Sequence, residues 1–278
     1  MVATVEQHAA EVAGGERFQF GNNWRRFISL VNEERIEQAE ASLRERFACD
    51  SLVGKTFIDV GSGSGLFSLA ARRLGARVHS FDYDPQSVAC TSTLKQRYFD
   101  GDTDWTIEQG SVLDVAFLET LGTYDIVYSY GVLHHTGQMW PALENVLRLL
   151  RSGGALFLTI YNDQGHKSVR WLKKKRRYNV LPDFLKLPYV FWILVPRHVL
   201  MFLICLARLK PKRYFQAWAT SRGMNPWYDM IDWIGGYPFE VAKPEEIFSF
   251  YKARGLQLES MMTTSSNGNN EFVFSKSD

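Results

Sequence analysis

"FIDVGSGSGLFSLA", residues 57–70, decides the fold. An apolar run ends in an acid, Asp59. Three glycines follow, Gly61, Gly63 and Gly65, separated by serines. Leu66, Leu69, Ala70 and Leu74 then repeat at helical spacing until Gly75 stops them, with Ser64 placed to cap the start. A strand, a glycine turn and a helix let main-chain amides approach a small ligand closely, because glycine has no side chain.

Outward from this unit, strand and helix patterns alternate. "ARVHSFDYD" reads as the second strand, and Asp84 and Pro85 supply an N-cap and first turn for the next helix. "DWTIEQG", "YDIVYSY" and "ALFLTIYN" read as the third to fifth strands. "MWPALENVLRLLRSGG" reads as a helix closed by its glycine pair, and residues 24–48 as one amphipathic helical region. A last helix, "KPEEIFSFYKARG", precedes two strands joined by the turn signal "SSNGNN", so the final strand is expected to run antiparallel. The fold class expected is α/β, a Rossmann-like, doubly wound, seven-stranded and mostly parallel sheet with an inserted helical cap. The division expected is leader and helices at 1–48, ligand-binding core at 49–162, cap at 163–240, and last helix with strand pair at 241–278.

Of the 278 residues, 46 % are hydrophobic, enough for one sizeable core or a core plus a small subdomain. A net charge of +2 implies no polyanion partner. Cys49, Cys90 and Cys205 form no CxxC pair, which argues against a disulfide framework or zinc site and fits a reducing cytoplasm. The N-terminus has no basic region followed by an apolar one, and reads as a mobile leader rather than a secretory signal. The apolar stretch 184–207 is interrupted by Lys186, Pro188, Pro196, Arg197 and His198, and reads as buried or interfacial helices rather than a membrane span.

The glycine turn excludes one ligand and departs from the pattern of another, although an acid at the position of Asp82 serves NAD enzymes as well. A Walker loop needs Lys and then Ser or Thr after its last glycine, where Leu66 and Phe67 stand. The dinucleotide fingerprint needs its third glycine at the position of Leu66. Asp59 would repel a pyrophosphate, but it favours S-adenosylmethionine (SAM), which carries a sulfonium and an ammonium. Asp82 ends the second strand, where an acid accepts hydrogen bonds from ribose hydroxyls.

"FIDVGSGSG", "SFDYDPQSV", "YDIVYSYGVLHHT" and "LLRSGGALFLTIYN" resemble, in order and spacing, the motifs of class I SAM-dependent methyltransferases over roughly residues 55–162. "FISLVNEERIEQA" (27–39) resembles the N-terminal helix of ubiquinone-biosynthesis O-methyltransferases. There an apolar residue, an Asn and an Arg precede the core, matched by Leu30, Asn32 and Arg35. That resemblance implies that Arg35 contacts the SAM carboxylate. The block 222–241 resembles one found in bacterial methyltransferases of unassigned substrate. Family members often carry an Asp where Ser111 stands, and acids linked to a metal ion where Gly131 and His134 stand. The departures weaken the expectation for adenine recognition and lead to none for a metal.

The cofactor-binding residues expected are therefore Arg35, Asp59, Gly61, Gly63, Gly65, Asp82, Tyr83, Gly110, Ser111, Val112, Ser129 and Tyr130. His134 and His135 suit deprotonation of an acceptor, since imidazole titrates near neutrality, although one could cap a helix and the other pack. Tyr161 and Asn162 end the fifth strand facing the same cleft, and Trp227, Tyr228, Asp229, Asp232 and Trp233 resemble a cap over a pocket. Residues 170–177 hold six basic residues in eight. A solvated helix face competes there with an anionic lipid surface, a phosphorylated substrate and RNA. The partner expected is a small lipophilic substrate, phosphorylated in one reading, with peripheral membrane contact through 170–209 and no nucleic acid. The function implied is methyl transfer to oxygen or carbon of that molecule. The rivals are C-methylation of a prenyl diphosphate, a tRNA-modifying enzyme and a non-catalytic SAM-binding module.

Overall fold

The computed structural model describes residues 2–207, 231 and 233–277. Strands β1 (Thr56–Val60), β2 (Arg77–Asp82), β3 (Trp105–Gln109), β4 (Tyr124–Ser129), β5 (Leu150–Tyr161), β6 (Leu256–Met262) and β7 (Asn269–Lys276) form one sheet in the order β3-β2-β1-β4-β5-β7-β6. β7 is antiparallel to both neighbours, and β1 to β5 are parallel. The seven-stranded, mostly parallel α/β sheet expected from the strand pattern is what the chain forms. The order reverses between β1 and β4, so a crevice opens beyond their carboxyl ends, where such sheets bind ligands.

Both faces are covered, as parallel strands require. On one face lie α3 (Glu33–Phe47), α4 (Leu66–Arg73) and α5 (Pro85–Tyr98), sealed by Ile36, Leu43, Phe57, Leu69, Leu94 and Phe157. On the other lie α6 (Val115–Leu121), α7 (Met139–Asn145) and α10 (Pro244–Lys252), sealed by Ile58, Val127, Leu143, Leu158, Ile247 and Phe274. α5 starts as its sequence dictates: Asp84 accepts a hydrogen bond from the Gln86 N–H at 2.8 Å, and Pro85 occupies the first turn.

Several boundaries differ from the pattern. Residues 24–48 form two helices, α2 (Gly21–Ile28) and α3, because the Asn32 side-chain Oδ1 accepts from the Arg35 N–H and starts a fresh helix. Residues expected to be a mobile leader form α1 (Val2–Ala13), tied to the core by Glu11 and Arg17. α7 ends at Asn145 and passes through a 3-10 turn, while Arg151 to Gly154 belong to β5 instead of closing a helix. α6 was not expected at all. α4 is preceded by Gly65 in the left-handed region, and the Ser64 hydroxyl oxygen one residue earlier accepts from the Leu66 N–H at 3.4 Å.

The inserted segment contributes α8 (His166–Val180) and α9 (Asp183–Ala207). They share a third cluster, Tyr178, Val190, Leu194 and Ile234, joined by Phe18 and Trp233. The stretch 184–207 lies within one helix, and no helix among the described residues is long and apolar enough to cross a membrane. Trp227, Tyr228, Asp229 and Asp232 lie outside the described residues.

Candidate active site

A cavity of about 860 Å³ lies beyond the carboxyl ends of β1, β2 and β4, and the glycine turn forms its floor. Gly61 and Gly63 both have positive φ. A Cβ on Gly61 would come within 2.5 Å of Val132, and one on Gly63 within 3.1 Å of the Trp24 ring. Only glycine lets Trp24 of α2 roof the turn this closely. Gly65 was expected in the same role but does not line the cavity. Its φ is +81°, and a Cβ there would meet the Thr91 Cα at 2.8 Å, so it brings α4 against α5.

Asp82 ends β2 with its carboxylate aimed into the turn: Oδ2 accepts from the Gly63 N–H at 2.9 Å and Oδ1 from the Asp84 N–H at 2.9 Å. Burial raises its pKa to about 7, opposed by those two bonds. Asp59 lines the same wall, accepts from the Ser68 hydroxyl, and is likewise raised by burial to about 7. Two carboxyls on one wall, Asp59 buried and Asp82 half-buried, each pushed toward its neutral form, fit a ligand that brings positive charge and hydroxyl donors. They do not fit a pyrophosphate.

Tyr83, Gly110, Ser111 and Val112 line the adjoining wall. Gly110 is fixed by packing, since a Cβ would fall 2.1 Å from the Phe117 ring. Tyr83 gives its hydroxyl to Glu11 of α1 at 3.2 Å, and the Arg17 guanidinium lies 4.9 Å over its ring. Arg35 and Tyr130 line the side nearest α3, and Arg35 there donates to the Leu30 carbonyl and lies 5.6 Å over Phe27. Ser129 does not reach the cavity, because its buried hydroxyl donates to the Val60 carbonyl at 3.0 Å and ties β4 to β1.

The two histidines separate. His134 is fully buried and absent from the wall. Its Nδ1–H donates to the Thr159 carbonyl at 3.1 Å, its Nε2 has no partner among the described residues, and burial lowers its pKa to about 3. It is a packed residue, not a base. His135 lines the cavity. Its Nδ1–H donates to the Pro238 carbonyl at 2.6 Å, which leaves Nε2 as the lone-pair nitrogen. Burial and His134 hold its pKa well below the ordinary imidazole value, so it is neutral at physiological pH. Arg17 steadies it from the main chain, donating to the His135 carbonyl at 2.9 Å. Tyr161 also lines the cavity, its ring 5.3 Å from His135 and 4.0 Å from His134. Asn162 instead donates to the Thr264 and Ser266 carbonyls and holds the β6–β7 turn.

Gln7, His8 and Glu11 of α1, with Arg17, Phe18 and Phe20, complete the wall. Sequence reasoning missed all of them, for α1 carries no motif. Among the described residues, no group of His, Cys, Asp and Glu is arranged to hold a metal ion.

Residues 58–158 match the model of a family described as a methyltransferase domain. The ubiquinone biosynthesis O-methyltransferase of Xanthomonas oryzae pv. oryzae strain PXO99A is 32 % identical over 135 residues, 49 % of this chain and 52 % of that protein. The protein of the same name from Xanthomonas campestris pv. campestris strain B100 is 34 % identical over 112 residues, 40 % of this chain and 45 % of its own. The chain thus spans about half the length of the curated relatives it matches. Magnesium protoporphyrin IX methyltransferase from Synechocystis PCC 6803, solved with bound SAH, superposes with a TM-score of 0.54 at 16 % identity, covering 92 % of this chain and 94 % of the other. An O-methyltransferase family protein from Burkholderia thailandensis gives 0.53 at 11 % identity, over 87 % and 57 %. These likenesses establish a shared fold.

Proposed function

We propose that this chain, whose core is a methyltransferase domain, transfers a methyl group from SAM to an oxygen of a small lipophilic molecule. The observation that carries this reading is one cavity joining the Gly61–Gly63 turn and Asp82 to the neutral, tautomer-fixed His135.

SAM supplies, when bound, an electrophilic methyl on a positively charged sulfur. The residues of the chain do the rest. Asp82 accepts the ribose hydroxyls, the turn offers close main-chain approach, and Asp59 adds negative charge to the wall. Arg35 is the cation for a ligand carboxylate, and Tyr83, Gly110, Ser111, Val112 and Tyr130 shape the pocket around the rest. Burial of these groups excludes water, which strengthens every charge interaction within the site. Methyl transfer needs the acceptor held in line and dry. His135 Nε2 accepts a hydrogen bond from the acceptor hydroxyl and takes its proton as the new bond forms. A lone pair facing the cavity favours a protic acceptor, hence oxygen over carbon. Tyr161 positions the acceptor against that nitrogen, and Phe18, Phe20 and Phe27 make its surroundings apolar.

Grip on a prenyl diphosphate by the basic residues at 170–177 loses its support, because none of them lines the cavity. The test is incubation with methyl-labelled SAM and a lipid-soluble cell extract. A labelled product is expected, with His135→Gln lowering its rate by roughly 10² to 10⁴ and leaving SAH affinity unchanged. An equal rate in the variant removes His135 as the base. SAH binding without turnover on any fraction contradicts the enzymatic reading.

A further inference from the structure

α9 turns an apolar stripe to solvent. Phe184, Leu187, Phe191, Trp192, Val195 and Val199 follow helical spacing on one face, with Phe184 76 % and Trp192 69 % exposed. The opposite face, Val190 and Leu194, is buried in the cluster shared with α8. Single exposed apolar residues are ordinary, but a contiguous stripe of this length marks a contact surface. α8, alongside, exposes Arg170, Lys173, Arg176 and Arg177 and contains no acidic residue. The two features adjoin: the Arg177 guanidinium lies 5.9 Å over the Tyr189 ring, which stacks on Trp192 at 5.9 Å. Lys175 is the exception in the basic run. It is fully buried, donates to the Trp233 carbonyl, and lies 4.3 Å over the Trp233 ring, pinning α8 to the cavity side.

We propose that α8 and α9 dock on the surface of an anionic membrane, with the stripe in the headgroup and acyl boundary and the α8 bases on acidic headgroups. Large apolar side chains beside charges of one sign are what an interfacial helix presents. A second copy of the chain is a poorer occupant, since a two-fold contact through this face would set bases against bases. RNA would leave the apolar stripe unused. Phe18, which lines the cavity, packs on Tyr178 of α8 with ring centroids 6.3 Å apart, so the docked face stands one side chain from the site. This inference needs no turnover, and its test is read apart from SAH binding, so either can fail alone.

The experiment is co-sedimentation of the full chain with vesicles of phosphatidylcholine alone or with one part in three phosphatidylglycerol. Binding to the anionic vesicles is expected, falling as salt rises, with at least tenfold weaker binding to the neutral ones. Each basic side chain near such a surface changes the binding constant about fivefold. The triple variant Arg170→Ala, Lys173→Ala, Arg176→Ala should therefore bind about a hundredfold more weakly. Phe191→Glu with Trp192→Glu should bind at least tenfold more weakly. A far-ultraviolet circular dichroism spectrum and thermal unfolding equal to those of the parent chain show that a variant is folded, and should one misfold, the salt dependence of the unaltered chain decides. Absence of vesicle binding, equal binding to both vesicle types, or stripe variants that bind as the parent does would overturn the proposal. So would a concentration-dependent dimer dispersed by the stripe variants in a chain that ignores vesicles.

Discussion

The wall built by the glycine turn and the side formed by His135 and Tyr161, which the inserted segment backs from behind, hold their side chains by different means. On the first, main-chain groups do the holding: the Gly63 and Asp84 N–H groups clasp Asp82, and glycine is required where Trp24 and Val132 press in. On the second, contacts from residues far along the chain do the holding. Trp233 and Phe239 pack on Tyr161, the Pro238 carbonyl orients His135, and buried Lys175 binds the Trp233 carbonyl. A main-chain constraint admits few residue types, while a side-chain fit admits many. The first wall therefore states its ligand class, and the second keeps its specificity in shape.

Asp82→Asn should break the first wall most severely. It removes charge-assisted acceptance at both oxygens, a loss of about 3 kcal/mol or roughly a hundredfold in SAH affinity by titration calorimetry. An unchanged affinity would mean that Asp82 serves only the Gly63 and Asp84 amides. The next effect is on stability. Gly65→Ala combines a left-handed φ with contact on the Thr91 main chain, and should cost about 3 kcal/mol in chemical denaturation. Gly54→Ala, with φ +77° and open space around it, should cost only about 1 kcal/mol. Equal losses would show that α4 and α5 can move apart.

The smallest effect concerns protons. Asp82 is raised to about 7 in the ligand-free chain. Hydrogen bonds from ribose hydroxyls favour its charged form, so ligand binding at pH 7 should release about half a proton per site from this group. Calorimetry in buffers of different ionisation enthalpy measures it, and Asp82→Asn should abolish it. The stability signs follow. Asp59 and Asp82, raised on folding, contribute stability below about pH 4 that is lost as pH rises through about 7. His134, lowered to about 3, contributes the opposite trend, a loss as pH falls from 6.5 toward 3.

The first wall was legible in the residues themselves. The "DVGSGSG" turn, Asp82 and the Asp84–Pro85 helix start carry local constraints that one sequence displays. Local pattern ran out where non-local packing decides. Gly65 and Gly63 look alike in sequence, but Gly65 sits under Thr91 and Gly63 under Trp24. His134 and His135 are adjacent and of one type, and the 3-10 turn that carries them sends one into the core and the other to the cavity. α1 has no motif, and its place depends on contacts of Glu11 and Arg17 with residues far along the chain. Lys175 looked like one member of a charged run until Trp233 and Phe239 enclosed it. Asn32 is a readable N-cap inside the helical region 24–48, and it marks the boundary between α2 and α3.

Titration calorimetry of the purified chain with SAH and with NAD measures the ligand choice of the glycine turn most directly. Tight uptake of SAH with no heat from NAD is the predicted result, and tight uptake of NAD with indifference to SAH would contradict it.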